Sequence, residues 1–78
     1  MKADETLDCV GLYCPMPIVH TARRMKEMQS GQVLELVSDD IGVKEDMTNW
    51  CKTSGNECLG IEEDKGVYWV YVKKKGVR

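Results

Sequence analysis

The sequence predicts an α+β protein, a two-layer α/β sandwich of order β-α-β-α-β-β whose four-stranded mixed sheet carries two helices on one face. Three observations lead to it. Two stretches place apolar residues three and four positions apart, the spacing of a helix face. Four shorter apolar stretches are bounded by glycine or aspartate and read as strands. Their alternation requires crossover connections, and right-handed crossovers bring both helices to the same side of one sheet.

Glu5 to Cys9, bounded by Gly11, reads as the first strand, with Thr6 and Leu7 as its strand formers. Pro15 and Pro17 fit the first turn of a helix, along which Ile18, Val19, Ala22, Met25 and Met28 recur at helical spacing up to Gly31. Val33, Leu34, Leu36 and Val37 form a second strand, apolar on both faces and therefore central. Asp39 or Asp40 is a natural N-cap for a second helix, whose apolar face is Val43, Met47, Trp50 and Cys51 and which Gly55 can end. Glu57 to Glu63 and Val67 to Lys75 then form a hairpin through Asp64-Lys65-Gly66. In its second strand Tyr68, Val70 and Val72 alternate with Trp69 and Tyr71, so the first set is assigned to the core and the second to the open face.

A chain of 78 residues has room for one domain, 1–78, and folding hides only about 60% of its extended surface. Its 42% hydrophobic and 31% charged residues are ordinary for a soluble globular protein. Net charge is −2, and the basic residues are dispersed apart from Lys73-Lys74-Lys75, which disfavours nucleic acid as a partner. The segment Met1 to Glu5 lacks the apolar run of a signal peptide, and Val67 to Val72 is far short of the ~20 residues that cross a bilayer. The expectation is a cytoplasmic protein with no membrane partner. In that setting Cys9, Cys14, Cys51 and Cys58 should be reduced, and their spacing fits no zinc site.

Cys14 draws attention because it precedes Pro15, which pushes its backbone toward the extended conformation of an N-cap. The unpaired N–H groups of a helix start favour an anion and lower a thiol's pKa. With Pro15 as N1 and Pro17 as N3, neither able to donate, the Met16 amide is the first-turn donor placed to serve the sulfur. The rings also stiffen the turn, so the sequence predicts a preset thiolate. The bland alternative is a tolerable N-cap beside a proline helix-start signal. No second cysteine stands at Cys-x-x-Cys spacing, and His20 lies about a turn and a half beyond Cys14, so dithiol cycling and Cys–His hydrolysis are poorly supported. One activated sulfur without a general base suits group exchange on the sulfur itself, as in persulfide transfer.

The run Leu7-Asp8-Cys9-Val10-Gly11-Leu12-Tyr13-Cys14-Pro15-Met16-Pro17 resembles the N-terminal signature of TusA-like (SirA-like) sulfur carriers, and the similarity continues through Gly31, Asp39-Asp40, Asp46 and Trp50-Cys51. The resemblance implies a sulfurtransferase that accepts sulfane sulfur as a persulfide on Cys14 and passes it on, without a cofactor or metal. It implies a donor resembling a cysteine desulfurase or rhodanese, and an acceptor serving tRNA thiolation, cofactor sulfuration or sulfur oxidation. Pro15, Met16 and Pro17 would shape the site, Gly11 would let the loop come close, and Asp8 fills the signature's acidic position. Ile41 departs from the pattern, since relatives often carry proline there.

Other residues have two readings. Cys9 could resolve a Cys14 persulfide or form a disulfide with it, and otherwise is a buried strand residue. Cys51 and Cys58 read as small core residues. Arg23 and Arg24, with His20 and Lys26, form either a solvated helix face or a docking patch for an acidic partner. The competing function is a regulatory or RNA-binding α/β module without sulfur transfer, which would lean on Trp69, Tyr71 and the lysine tail.

Overall fold

The computed structural model describes residues 3–75, so Met1 and Lys2 of the N-terminal segment lie outside the described residues. The elements are β1 (Glu5–Asp8), α1 (Met16–Glu27), β2 (Val33–Ser38), α2 (Val43–Ser54), β3 (Glu57–Asp64) and β4 (Val67–Lys73), in the predicted order. They form one sheet of strand order β1-β2-β4-β3. β1 runs parallel to β2, while β2–β4 and β3–β4 are antiparallel, so the sheet is mixed; β2 is central as predicted, but only its Leu34–Leu36–Ser38 face is buried, and the face holding Val33, Glu35 and Val37 is half-exposed.

Both helices pack on one face. Met25 and Met28 from the first helical segment and Val43, Met47 and Cys51 from α2 share a core with Leu34, Leu36, Tyr68, Val70 and Val72. Leu34, Leu36, Met47, Val70 and Val72 are fully enclosed, and each such side chain contributes about 2 kcal/mol by leaving water. The alternation along β4 falls as predicted in direction, with Tyr68, Val70 and Val72 facing the helices and Trp69 and Tyr71 the other way, but Tyr71 is only 4% exposed there. Thr21 of α1 is also fully buried, and its hydroxyl makes no hydrogen bond.

The hairpin turn has Lys65 at φ 51° and Gly66 at φ 82°, the paired left-handed residues of a two-residue loop whose twist matches the strands. α2 ends on Gly55, left-handed at φ 84°, whose N–H donates to the Cys51 carbonyl at 2.9 Å. Its start differs from expectation. The cap residue is Gly42, and Asp40 acts from two positions earlier, accepting the Gly42 N–H on Oδ1 at 3.1 Å. α1 stops at Met28, whose backbone is extended, rather than running to Gly31. Among the described residues no helix is long and apolar enough to cross a membrane.

Candidate functional site

The loop from β1 to α1 leaves the sheet where β2 also ends, so the chain after Asp8 and the chain after Ser38 run side by side. Cys9 is still strand-like, its N–H donating to the Val37 carbonyl at 2.7 Å. Asp8 then accepts the Val10 N–H at 3.0 Å, and Gly11, at φ 87°, reverses the chain through a conformation that a side chain would strain. The reversed loop is fastened to the two aspartates beyond β2. Gly11 N–H donates to Asp39 Oδ1 at 3.0 Å and Cys14 N–H to Asp40 Oδ2 at 3.1 Å. Asp40 is oriented by its own N–H on the buried Ser38 hydroxyl, so one carboxylate ties the Cys14 backbone to the start of α2.

Of the four cysteines, all free thiols, Cys14 alone is exposed. Pro15, at φ −97° and ψ 14°, is the cap of α1, with Met16 and Pro17 as its first two residues, and the Cys14–Pro15 peptide is cis. Cys14 therefore stands one residue before the cap, not at it. The Met16 N–H expected to serve the sulfur donates instead to the Tyr13 carbonyl at 2.8 Å. The thiol's ionisation also runs opposite to the sequence expectation. Cys14 is held above its ordinary value by the Asp46 carboxylate, which accepts a hydrogen bond from the thiol, then by lost hydration and by the charges of Asp46 and Asp40. The carboxylates of Asp46 in α2 and of Asp40 in the loop before it outweigh a helix start whose prolines have no N–H groups to offer, so the resting site holds a thiol.

The two carboxylates converge over Gly42, where a Cβ would lie 3.7 Å from both Asp40 Oδ1 and Asp46 Oδ2. Around them stands an apolar collar, of which sequence reasoning named only Met16 as a site residue. Val10, Tyr13, Met16 and Ile41 are 49%, 72%, 40% and 81% exposed, and among the described residues these are the exposed large hydrophobic side chains. Val10 and Tyr13 belong to the loop before α1, Met16 is the first residue of α1, and Ile41 lies in the β2–α2 loop, whose Asp40 accepts the Cys14 N–H. The signal was present in the sequence as apolar residues in glycine-flanked loops, Ile41 most plainly, but only the fold shows that the loops adjoin.

The remaining predicted residues are dispersed. Cys9 is 1% exposed in the core, its thiol pushed up by burial and then by the Asp8 charge, so it is enclosed and protonated rather than poised beside Cys14. Arg24 is tied to Glu5 of β1 at 2.8 Å, leaving Arg23 as the exposed member of the proposed docking pair. Cys51 and Cys58 are brought together between α2 and β3, a contact their spacing did not reveal. Burial, then Cys58, pushes the Cys51 thiol up to about 12. Trp69 and Tyr71 sit among Glu35, Glu62 and Asp64, carboxylates that repel a phosphate backbone and remove the aromatic support for RNA binding.

A family model described as Sulfurtransferase TusA matches residues 5–74. The chain belongs to the TusA family. A protein of Aquifex aeolicus is 45% identical over 74 residues, which make up 95% of this chain and 38% of that one, so this chain spans well under half of that relative's length. The sulfur carrier protein TusA of Pseudomonas entomophila is 35% identical over 72 residues, covering 92% of this chain and 90% of that one. The fold is similar to the crystal structure of a SirA-like protein from Desulfitobacterium hafniense, with a TM-score of 0.80 over 91% of this chain and 97% of that one at 22% identity. In this chain the Cys14-Pro15-Met16-Pro17 element follows the loop after β1, which is clamped by Asp39 and Asp40.

Proposed function

We propose that this TusA-family protein is a sulfur carrier, a sulfurtransferase that takes sulfane sulfur from a donor protein onto Cys14 as a persulfide and yields it to an acceptor protein. The observation that carries the reading is the placement of the one exposed thiol inside the apolar collar of Val10, Tyr13, Met16 and Ile41. A carrier must expose its sulfur to two partners in turn, and an accessible apolar rim serves docking by either. The names of relatives such as the Pseudomonas TusA support the same reading.

The chemistry follows from the thiol form. Cys14 Sγ attacks the outer sulfur of the donor's persulfide, a new S–S bond forms on Cys14, and the donor's own S–S bond breaks. The Cys14 proton passes to the departing donor thiolate, relayed by Asp46, the carboxylate whose influence on the thiol is strongest. The products are the Cys14 persulfide and the donor thiol, with no net redox change. Delivery repeats the exchange with the acceptor as attacking thiolate. Until a partner covers the site, a protonated thiol reacts slowly with oxidants and stray disulfides. Cys14 is the catalytic residue here, with Pro15, Met16, Pro17, Gly11 and Asp8 shaping the loop that holds it.

Radiolabelled sulfur from cysteine, supplied through a cysteine desulfurase, tests the reading. Label released by reductant should appear on wild type and be absent from Cys14→Ser, and Tyr13→Glu or Ile41→Glu should slow loading about tenfold by placing charge in the collar. Label on Cys14→Ser equal to wild type would overturn the assignment.

A further inference from the structure

The sheet face opposite the helices is covered by no element of the described chain. Strand register sets two rows across it: Asp8, Val37, Trp69 and Glu62 in one, and Thr6, Glu35, Tyr71 and Gly60 in the next. Gly60 has no side chain opposite Tyr71, and the bulge between Cys58 and Gly60 shifts β3 there. The result is a cavity of about 340 Å³ floored by Trp69 and Tyr71 and bordered by Glu35, Glu62, Glu63 and Asp64. No basic side chain lines it, and Lys73, on the same face, lies beyond Tyr71 opposite Glu57.

The charges of this border are largely uncompensated. Glu63 is paired with Lys44 at 3.6 Å, but among the described residues Glu35, Glu62 and Asp64 have no ion pair. Glu35 is held in place by neutral donors, the Tyr71 hydroxyl at 2.8 Å and the Thr6 hydroxyl at 3.0 Å. A half-buried indole bordered by several carboxylates, of which Glu35 is held in place, is complementary to one kind of group, a flat cation that stacks on the ring while its N–H groups reach the carboxylates.

We propose that this sheet face is a second docking surface, which binds an arginine-bearing basic segment of a partner protein over Trp69. Arginine fits better than lysine because its planar guanidinium can stack and donate in a fork at once. The row holding Trp69 ends at Asp8, where the chain turns into the Cys14 loop, so a segment lying along that row continues toward the thiol. One partner can thus be gripped by its charge on the sheet and by apolar contact at the collar. The inference goes beyond sulfur carriage and does not depend on it.

The test is a titration of isotopically labelled protein with a short peptide of alternating arginine and glycine, read by amide and indole N–H shifts, beside the same peptide with citrulline for arginine. Saturable shifts should centre on Glu35, Val37, Glu62, Trp69 and Tyr71, weaken with salt, and vanish with citrulline. Trp69→Leu should weaken binding about tenfold. The double variant Glu62→Gln, Asp64→Asn, confined to exposed side chains, should weaken it without disturbing the fold. Equal shifts with citrulline, shifts confined to Asp39, Asp40 and Asp46, or none at millimolar peptide would overturn the proposal. So would shifts on this face from protein concentration alone or from a single-stranded oligonucleotide, which would assign it to a second copy or to nucleic acid.

Discussion

Replacing Asp40 by alanine should loosen the site and destabilise the fold together, because one carboxylate serves both. Its two oxygens accept the Cys14 and Gly42 N–H groups, each at 3.1 Å, joining the reactive loop to the start of α2. A charge-assisted bond of this kind contributes up to about 3 kcal/mol, and partial exposure brings each nearer to 1 kcal/mol. The loss is therefore about 2 kcal/mol, a large share of the margin of so small a protein. Thermal unfolding followed by circular dichroism should show a midpoint lower by about 8–16 °C. Amide exchange at Cys14 and Gly42 should accelerate more than exchange at Leu36 or Val70. Asp40→Asn keeps one acceptor oxygen and should lose about half as much, while easing ionisation of Cys14 by removing a negative charge. A midpoint unchanged within about 2 °C for the alanine variant would refute the clamp.

Other expectations follow from the same contacts. Asp46→Asn removes the main influence holding the Cys14 thiol up, so the pH profile of its alkylation should move down and its rate at neutral pH should rise; an unmoved profile would contradict the Asp46 contact. Cys51 is raised from 9.0 to about 12, so its contribution to stability is complete below pH 9.0 and is lost as pH climbs toward 12, at about 1.4 kcal/mol per pH unit. Tyr71, raised from 10.0 to about 12 by its bond to Glu35, adds a second loss above pH 10.0. Denaturant melts between pH 8 and 11 should show the decline, and Cys51→Ala should make it shallower. Thr21→Val replaces a buried hydroxyl that has no partner and should stabilise the protein by about 1 kcal/mol, whereas a lower melting midpoint would mean that the hydroxyl is satisfied.

The fold was readable because its local signals agree with its packing. Met25, Val43, Met47 and Cys51 fall at helical spacing and meet in the core, Leu34 and Leu36 lie on the buried side of β2, and Lys65-Gly66 has the backbone freedom its turn needs. Cys14 stood out for a local reason as well, the prolines on its C-terminal side. What escaped was whatever depends on contacts between loops distant in sequence. Asp40 resembles an N-cap when only its neighbours are read, but in three dimensions it is drawn 26 residues back along the chain to the Cys14 amide. Asp46 looks like an ordinary first-turn acid of α2, and only the adjacency of the two loops turns it against the thiolate. Local reasoning about the helix start therefore singled out the one exposed thiol but expected its pKa to fall, where the neighbouring carboxylates raise it. The collar escaped similarly: Met16 stood out for its amide and Ile41 as a departure from the family pattern, but only with Val10 and Tyr13 do they form a surface.

Whether Cys14 carries the sulfur is read from intact-protein mass spectrometry under non-reducing conditions, after wild type, Cys14→Ser and Cys9→Ser have each been incubated with a cysteine desulfurase and cysteine. The carrier role of Cys14 requires a gain of one sulfur atom on wild type and on Cys9→Ser, reversed by reductant, and no gain on Cys14→Ser. A gain that persists in Cys14→Ser and disappears in Cys9→Ser would place the sulfur on the buried thiol and contradict it.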